Sequence, residues 1–158
     1  MNAMSDIQSK ANDSAQEYIT FRIGSQFFCV DIMSVREIRG WTPATQLPRA
    51  PGFVRGVINL RGIVLPVIDL SERLGFEPAE PTQRHVIIVA QTGKQIVGLL
   101  VDAVSDIIAM PAEKVQPTPD VGSEAARSFV IGVVPIDERM ISVIALDSIM
   151  PNMIGEAA

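Results

Sequence analysis

The 158-residue chain has few of the residues that usually carry chemistry. It contains one cysteine, one histidine, one tryptophan and one tyrosine. A single cysteine excludes a disulfide within the chain and fits a reducing cytoplasm. One histidine and one cysteine are too few for a metal site, and no spacing of carboxylates completes one. We therefore predict no metal, no cofactor and no catalytic turnover.

The two most reactive side chains are weak catalytic candidates. Cys29 lies in the apolar run QFFCV, which is typical of a small buried hydrophobe. His85 follows Arg84 at the start of a predicted strand, where we expect it to be exposed and without a nucleophile beside it. Interaction surfaces are therefore a better candidate than an active site.

Charge and hydropathy exclude further classes of protein. The net charge of −5 argues against a nucleic-acid partner, which requires a basic face. Hydrophobic residues make up 47% of the chain, yet no apolar run approaches the roughly 18 residues that a membrane helix needs. The sequence does not begin with basic residues followed by an apolar stretch, so we expect no secretory signal. We expect a protein without direct membrane insertion that exposes some apolar surface to partners.

The segment Phe53 to Ser71, FVRGVINLRGIVLPVIDLS, predicts a β-hairpin. Two β-branched apolar runs flank Arg61-Gly62, and a glycine suits the turn position that needs a positive φ. Pro66 cannot donate a ladder hydrogen bond, so the second strand is expected to be an edge strand or to carry a bulge there.

This hairpin occurs twice. Without a gap, the segment lies on Phe129 to Asp147, FVIGVVPIDERMISVIALD, 76 positions later, and seven of the 19 aligned pairs are identical. The identical residues are apolar or glycine, so they preserve a scaffold. The divergent ones are mostly polar, and the basic Arg61 turn corresponds to Asp137 and Glu138. A weaker repeat aligns GSQFFCVDIMSVREI from Gly24 with GKQIVGLLVDAVSDI from Gly93.

Short strands at near-even spacing, with Gly and Pro turns, predict an all-β fold with a few short helical turns. A Pro-rich stretch at residues 76–83 is the expected joint between two halves. Residues 1–15 predict a disordered tail, and residues 152–158 a frayed end. Each half is marginal in size alone, so the halves should share an apolar seam whose groove is a natural binding site. We expect Val57, Ile58, Val67 and Ile68 to be buried in one half, and Val133, Val134, Val143 and Ile144 in the other.

The motifs VREIRG, FVRGVINLRG, LPVIDL and VGLLVDAVSDI, in this order and spacing, closely resemble the CheW family of chemotaxis coupling proteins. The resemblance covers about Gln16 to Met150. It implies a CheW-like domain at 16–151, made of two SH3-like five-stranded β-barrels on a shared hydrophobic core. We place the first barrel at roughly 16–78 and the second at roughly 83–151. The chain is too short for the kinase and receiver fusions of this domain, so a free-standing protein is expected.

The resemblance also implies partners and contact residues. It implies an adaptor that joins methyl-accepting chemoreceptors to the histidine kinase CheA in membrane-associated arrays. The receptor groove between the barrels matches Val35, Glu37, Ile38, Asn59 and Arg61, and the kinase contact transfers loosely to Arg55, Gly56 and Val57. Residues 112–126 match no strong family signature.

Two alternatives remain open. The chain is compatible with a scaffold of a related non-flagellar chemosensory system, serving motility or development. It is also compatible with a small-molecule sensor or minor enzyme that uses the groove between the barrels. A ligand that strongly raises the melting temperature would favour the second alternative.

Overall fold

The computed structural model describes residues 15–93, 95–117 and 129–150. Within them the chain forms ten strands: β1 (Ala15–Ile23), β2 (Gln26–Asp31), β3 (Val35–Gly40), β4 (Val54–Leu60), β5 (Ile63–Asp69), β6 (Val86–Thr92), β7 (Gln95–Val101), β8 (Ala103–Pro111), β9 (Val130–Ile136) and β10 (Arg139–Ile144). One-turn helices α1 (Leu70–Arg73) and α2 (Leu146–Ile149) follow β5 and β10, and 3₁₀ turns occupy Ile32–Ser34 and Ala112–Lys114. The all-β prediction is confirmed. The predicted tail and frayed end lie outside the described residues, except Ala15, which begins β1.

The ten strands form two five-stranded sheets. Sheet A has the order β8-β1-β2-β10-β9, and sheet B has the order β3-β6-β7-β5-β4. Exchanging β1 with β6, β2 with β7, β3 with β8, β4 with β9 and β5 with β10 converts one order into the other. The sequence repeat is therefore a pseudo-two-fold relation between the sheets.

The predicted limits of the two barrels are wrong. The hairpin β1–β2, from the first half, pairs with β8 and β10 of the second half, and β6–β7 pairs with β3 and β5 of the first. Neither 16–78 nor 83–151 is a barrel, because each half exchanges its first hairpin with the other. Residues 76–83 still join the halves, but they do not separate the barrels.

Short bridges after β3 and β8 close each sheet into a barrel. Thr45 pairs with Val57 on β4, the far edge of sheet B, and Gln116 pairs with Val133 on β9 in sheet A. Each bridge has two backbone hydrogen bonds of 2.8 and 2.9 Å. Since Val57 and Val133 are equivalent in the repeat, both barrels close in the same way.

Within the described residues, the core comprises three apolar clusters. One fills the interior of sheet B around Leu65 and Val67, and another fills the interior of sheet A around Tyr18 and Cys29. The largest cluster lies between the sheets and takes residues from both. It includes Phe21 and Phe28 of sheet A, Leu99 of sheet B and Leu70 of α1. The prediction of a shared hydrophobic core is confirmed.

Several strands are buried on both faces. On β7, Leu99 enters the shared cluster while its neighbour Leu100 enters the barrel of sheet B, because successive side chains point to opposite faces. This explains why β6 and β7 are continuous apolar runs. Of the eight expected core residues six are buried, whereas the two at the closing bridges, Val57 and Val133, are half-buried.

Pro66 does not mark an edge strand or a bulge. Strand β5 lies between β7 and β4, and Pro66 pairs in register with Val57. Proline is tolerated because the parallel ladder with β7 begins only at Val67, so no partner strand needs an N–H from Pro66. The bulge lies across the hairpin at Arg55, between the Val54 and Gly56 pairs. Among the described residues, no helix is long and apolar enough to span a membrane.

Candidate functional site

The predicted receptor-contact residues lie on β3 and on the β4–β5 turn at one end of sheet B. Arg61 and Gly62 both have positive φ, 52° and 87°, which defines a two-residue turn with the twist that hairpins require. The Asn59 side chain stabilises this turn, since its Oδ1 accepts a hydrogen bond from the Gly62 N–H at 2.8 Å. Arg61 therefore projects from a rigid tip, and its side chain is 71% exposed.

An ion pair joins this turn to β3. The Arg61 Nη2 lies 2.5 Å from Glu37 Oε1, and Arg39 Nη1 lies 3.9 Å from Glu37 Oε2. The Arg61 hydrogen bond, helped by the charges of Arg61, Arg39 and Arg36, holds the pKa of Glu37 below its usual value. Glu37 in turn raises the pKa of Arg61. The pair is therefore fully charged at neutral pH, and it links the opposite edges of sheet B.

Val35 and Ile38 have different surroundings. Val35 is half-buried against the cluster shared by the sheets, so its side chain has a packing role. Ile38 is 44% exposed, one residue beyond Glu37. The structure thus brings Glu37, Asn59 and Arg61 together at the turn, with Ile38 on the adjoining strand.

Sequence reasoning missed two apolar residues beside the turn. Ile63 and Val64 open β5 and are 48% and 64% exposed. Val64 pairs with Asn59 across the hairpin, so the two side chains share one face. The sequence contained a signal for this exposure. Ile63 and Val64 are consecutive apolar residues directly after the hairpin turn, and a strand with one buried face needs an apolar residue only at every second position. Ile63 precedes Val64 in β5, so its side chain points to the opposite face. We use the name turn surface for the exposed residues at this end of sheet B, namely Ile38, Ile63, Val64 and Arg61.

The predicted kinase-contact residues lie elsewhere on sheet B, where the barrel closes. Gly56 is buried beneath the segment that leads to β4, and a Cβ there would lie 2.2 Å from the Thr45 carbonyl oxygen. Val57 exchanges both of its backbone hydrogen bonds with Thr45, at 2.8 and 2.9 Å. Both residues therefore have a structural role in barrel closure.

Arg55 takes part in a buried polar cluster. Its Nη2 lies 3.2 Å from Oδ2 of Asp69, a carboxylate with no exposed surface, and also donates to the Ala79 carbonyl. The Asp69 carboxylate accepts a hydrogen bond from the backbone N–H of Ala79 at 2.8 Å. It also accepts one from the backbone N–H of Glu72 at 3.3 Å, and this second bond caps α1. These contacts hold the segment between α1 and β6 against sheet B.

Three surface clefts are described. One of about 390 Å³ lies beside Arg55, and others of about 400 and 240 Å³ lie next to Arg139 and Tyr18. None of these three is lined by the five predicted receptor-contact residues. These three clefts therefore lie apart from the predicted receptor-contact residues.

The two side chains considered as catalytic candidates, His85 and Cys29, have local structural roles. His85, expected to be exposed, is largely buried: Thr82 donates its backbone N–H to Nδ1 at 3.0 Å, and Nε2 lies 3.4 Å from Asp102 Oδ1. Both ring nitrogens thus serve local structure. Burial raises the pKa of Cys29 to about 12, so its thiol is protonated at neutral pH. In the described ranges, no three His, Cys, Asp or Glu side chains converge as a metal site.

Comparison with known proteins places this architecture. A family model described as a CheW-like domain matches residues 17–152. The chain belongs to the CheW-like family. Among relatives, the chain is 56% identical to a chemotaxis protein CheW of Rhizobium meliloti over 155 residues, which is 98% of this chain and 100% of the relative. It is 32% identical to the CheW of Klebsiella aerogenes, over 87% of this chain and 82% of the relative.

A solved CheW structure shares the fold of this family member. The crystal structure of the scaffolding protein TtCheW from Thermoanaerobacter tengcongensis aligns with a TM-score of 0.78 and 32% identity, over 87% of this chain and 89% of that chain. This match extends to the two-sheet architecture, and it confirms the CheW resemblance that the sequence motifs indicated.

Proposed function

We propose that this protein is a non-enzymatic adaptor that couples methyl-accepting chemoreceptors to the histidine kinase CheA. It is expected to act in the cytoplasm and to be recruited to receptor arrays at the membrane. Membership of the CheW-like family supports the proposal, since relatives bear the name chemotaxis protein and one solved relative is called a scaffolding protein.

The observation that carries the receptor half of this proposal is the composition of the turn surface. Exposed apolar side chains at Ile38, Ile63 and Val64 lie on the strands that adjoin a fixed cationic tip. An amphipathic helix docks through apolar anchors, while charges at the rim set its register. We assign the turn surface to an apolar stripe on the helical hairpin of the receptor tip, with micromolar affinity increased by array avidity.

Arg61 is suited to a directed contact with that receptor. Glu37 holds the guanidinium in place through Nη2, and a guanidinium carries five N–H donors. Donors therefore remain for a carboxylate or carbonyl of the partner. Because Glu37 restrains the side chain before docking, less conformational entropy is lost when the contact forms.

The kinase contact is assigned to the closing edge around Arg55, Gly56 and Val57. Since Gly56 is buried and Val57 is bonded to Thr45, the contact would be made largely by the segment above them, including the exposed Leu47. Arg55 lines the adjoining cleft of about 390 Å³, and its side chain is 28% exposed. This edge is separate from the turn surface, so one barrel can hold both partners.

Arg61→Glu tests the receptor assignment. We expect the variant to lose receptor-tip binding by roughly tenfold or more, because a directed charge-assisted contact is replaced by an anion. Kinase binding and melting temperature should stay near those of the wild type, since the side chain is mostly exposed. Titration calorimetry with a receptor-tip fragment, and separately with the kinase regulatory domain, measures both.

Two controls separate binding from structure. Asp137→Arg makes the reverse charge change at the equivalent turn of sheet A, and it should leave receptor binding intact. The double variant Glu37→Arg/Arg61→Glu restores the ion pair with inverted polarity, and it should still fail to bind the receptor. Recovery of binding in the double variant would make Arg61 structural, and unchanged binding in Arg61→Glu would contradict the assignment.

A further inference from the structure

The pseudo-two-fold relation is broken at one residue near its axis. Arg73 ends α1, and its equivalent in the second copy is Ile149, which ends α2 and is fully buried. The Arg73 guanidinium carbon lies 4.1 Å from the ring centroid of Phe53 and 4.8 Å from that of Phe129. Since these phenylalanines are equivalent in the repeat, a group nearly equidistant from both lies close to the axis.

The same side chain also reaches the second helix. Arg73 Nε donates to the Ile149 carbonyl at 3.1 Å, and Nη2 donates to the Ser148 carbonyl at 3.2 Å. These carbonyls lie in the last turn of α2, where backbone acceptors lack partners within the helix. One guanidinium therefore contacts both phenylalanines and the end of the opposite helix.

Both phenylalanines are fixed to the starts of the helices. The Asp69 N–H donates to the Phe53 carbonyl at 2.7 Å, and the Ala145 N–H donates to the Phe129 carbonyl at 2.8 Å. Asp69 and Ala145 are the residues that precede α1 and α2. Movement of either helix relative to the other must therefore disturb the contacts of Arg73.

Strand β5 connects Arg73 to the turn surface. It runs from Ile63, beside Arg61, to Asp69, and α1 continues directly from it. Its seven residues span about 23 Å as one rigid element. A displacement at the turn surface would therefore reach α1 through β5, and it would reach α2 through the Arg73 contacts.

We propose that Arg73 is a positioning residue that locks α1 to α2 and transmits docking at the turn surface of sheet B to sheet A. The transmission rests on the proposed receptor contact, whereas the lock between the helices does not. Coupling of this kind requires an element whose arrangement both sites influence, and the two helices with their shared arginine provide it.

Hydrogen exchange of the full chain, with and without a receptor-tip fragment, tests this proposal. Arg73→Met removes the cation and its donors but keeps an unbranched side chain. Arg139→Met is the matched control, because Arg139 lies 4.4 Å above the Phe27 ring and both belong to sheet A. In the wild type and Arg139→Met, the fragment should slow exchange in β9, β10 and α2 as well as in sheet B. In Arg73→Met the effect should be confined to sheet B, with fragment affinity within about twofold.

The remaining outcomes also decide the question. The transmission is overturned if the fragment still slows exchange in sheet A of Arg73→Met. It is also overturned if the wild type binds the fragment and exchange in sheet A is not slowed. If the wild type does not bind the fragment, the proposed receptor contact fails, and exchange without a partner decides the lock. The Ile149 and Met150 amides should then exchange roughly tenfold faster in Arg73→Met than in Arg139→Met, and equal rates overturn the lock. If Arg73→Met does not fold, Arg73→Lys replaces it in the same comparisons, because it keeps the cation and loses the fork of donors.

Discussion

Gly56→Ala and Gly132→Ala test how the two barrels close. At Gly56 an added Cβ would lie 2.2 Å from the Thr45 carbonyl oxygen, and the residue has a φ of +142°. At Gly132 a Cβ would lie 2.4 Å from the Gln116 carbonyl oxygen and 2.7 Å from a Val115 methyl carbon. In each barrel the atom nearest to the added Cβ is a backbone carbonyl oxygen, so a change of side-chain rotamer cannot relieve the clash.

The size of the effect follows from the bridge that must move. Relief of the clash displaces the closing segment and loses its two backbone hydrogen bonds, each worth about 0.5–1.5 kcal/mol. Overpacking of a filled site adds about 1–3 kcal/mol. We expect each variant to lose about 2–6 kcal/mol of unfolding free energy. Gly56→Ala should be the more damaging, because its φ also disfavours a side chain.

Urea unfolding followed by circular dichroism measures this loss. Gly40→Ala is the matched control, since a Cβ there meets nothing within 4 Å. It should change the unfolding free energy by less than about 0.5 kcal/mol. Midpoints for Gly56→Ala and Gly132→Ala equal to that of Gly40→Ala would refute the close approach, and with it the closure of both barrels.

Three further expectations concern burial and strand exchange. Val67→Ala should cost about 1–3 kcal/mol as a large-to-small change in a filled core, whereas Val64→Ala on the exposed side of the same strand should be nearly neutral in urea unfolding. Cys29 should resist a thiol reagent until the chain unfolds, because its pKa is about 12, and prompt modification of the native protein would contradict that burial. Residues 15–80 alone should show no cooperative unfolding by circular dichroism, since β1 and β2 lose β8 and β10, and a cooperative transition would mean that the halves fold independently.

Local features of the fold were predictable from the sequence. The Arg61-Gly62 turn and its hairpin follow from glycine placement and β-branched runs, which act over a few residues. The second hairpin follows from the repeat alone, since Asp137 and Glu138 adopt a positive φ at its turn without a glycine. The exchange of hairpins was not predictable, because β6 and β7 are apolar on both faces and their pattern does not select a partner strand. The prediction of an edge strand or a bulge at Pro66 was wrong for the same reason. A proline is tolerated there because the ladder between β5 and β7 begins only at Val67.

In the candidate site, too, local features were predictable from the sequence, whereas contacts between distant residues were not. The exposure of Arg61 followed from its place at a turn, and the structure adds its ion pair with Glu37, which is distant in sequence. Gly56 recurs as Gly132, and the repeat alone showed only that both belong to the scaffold. The physical reason is the closing segment, whose approach depends on the tertiary fold. Sequence reasoning therefore predicted the exposure of Arg61, whereas the structural reason for Gly56 depends on the tertiary fold.

Differences between the copies show what the duplicated scaffold does not require. The Arg55–Asp69 ion pair of the first copy corresponds to Ile131 and Ala145 in the second, although both strands carry the same bulge. An ion pair is therefore dispensable for this hairpin and its helix. In the first copy both charged groups also bind Ala79, in the segment that leads from α1 to β6. That segment must pass back across sheet B to reach the exchanged hairpin, so the buried charges hold the crossing in place.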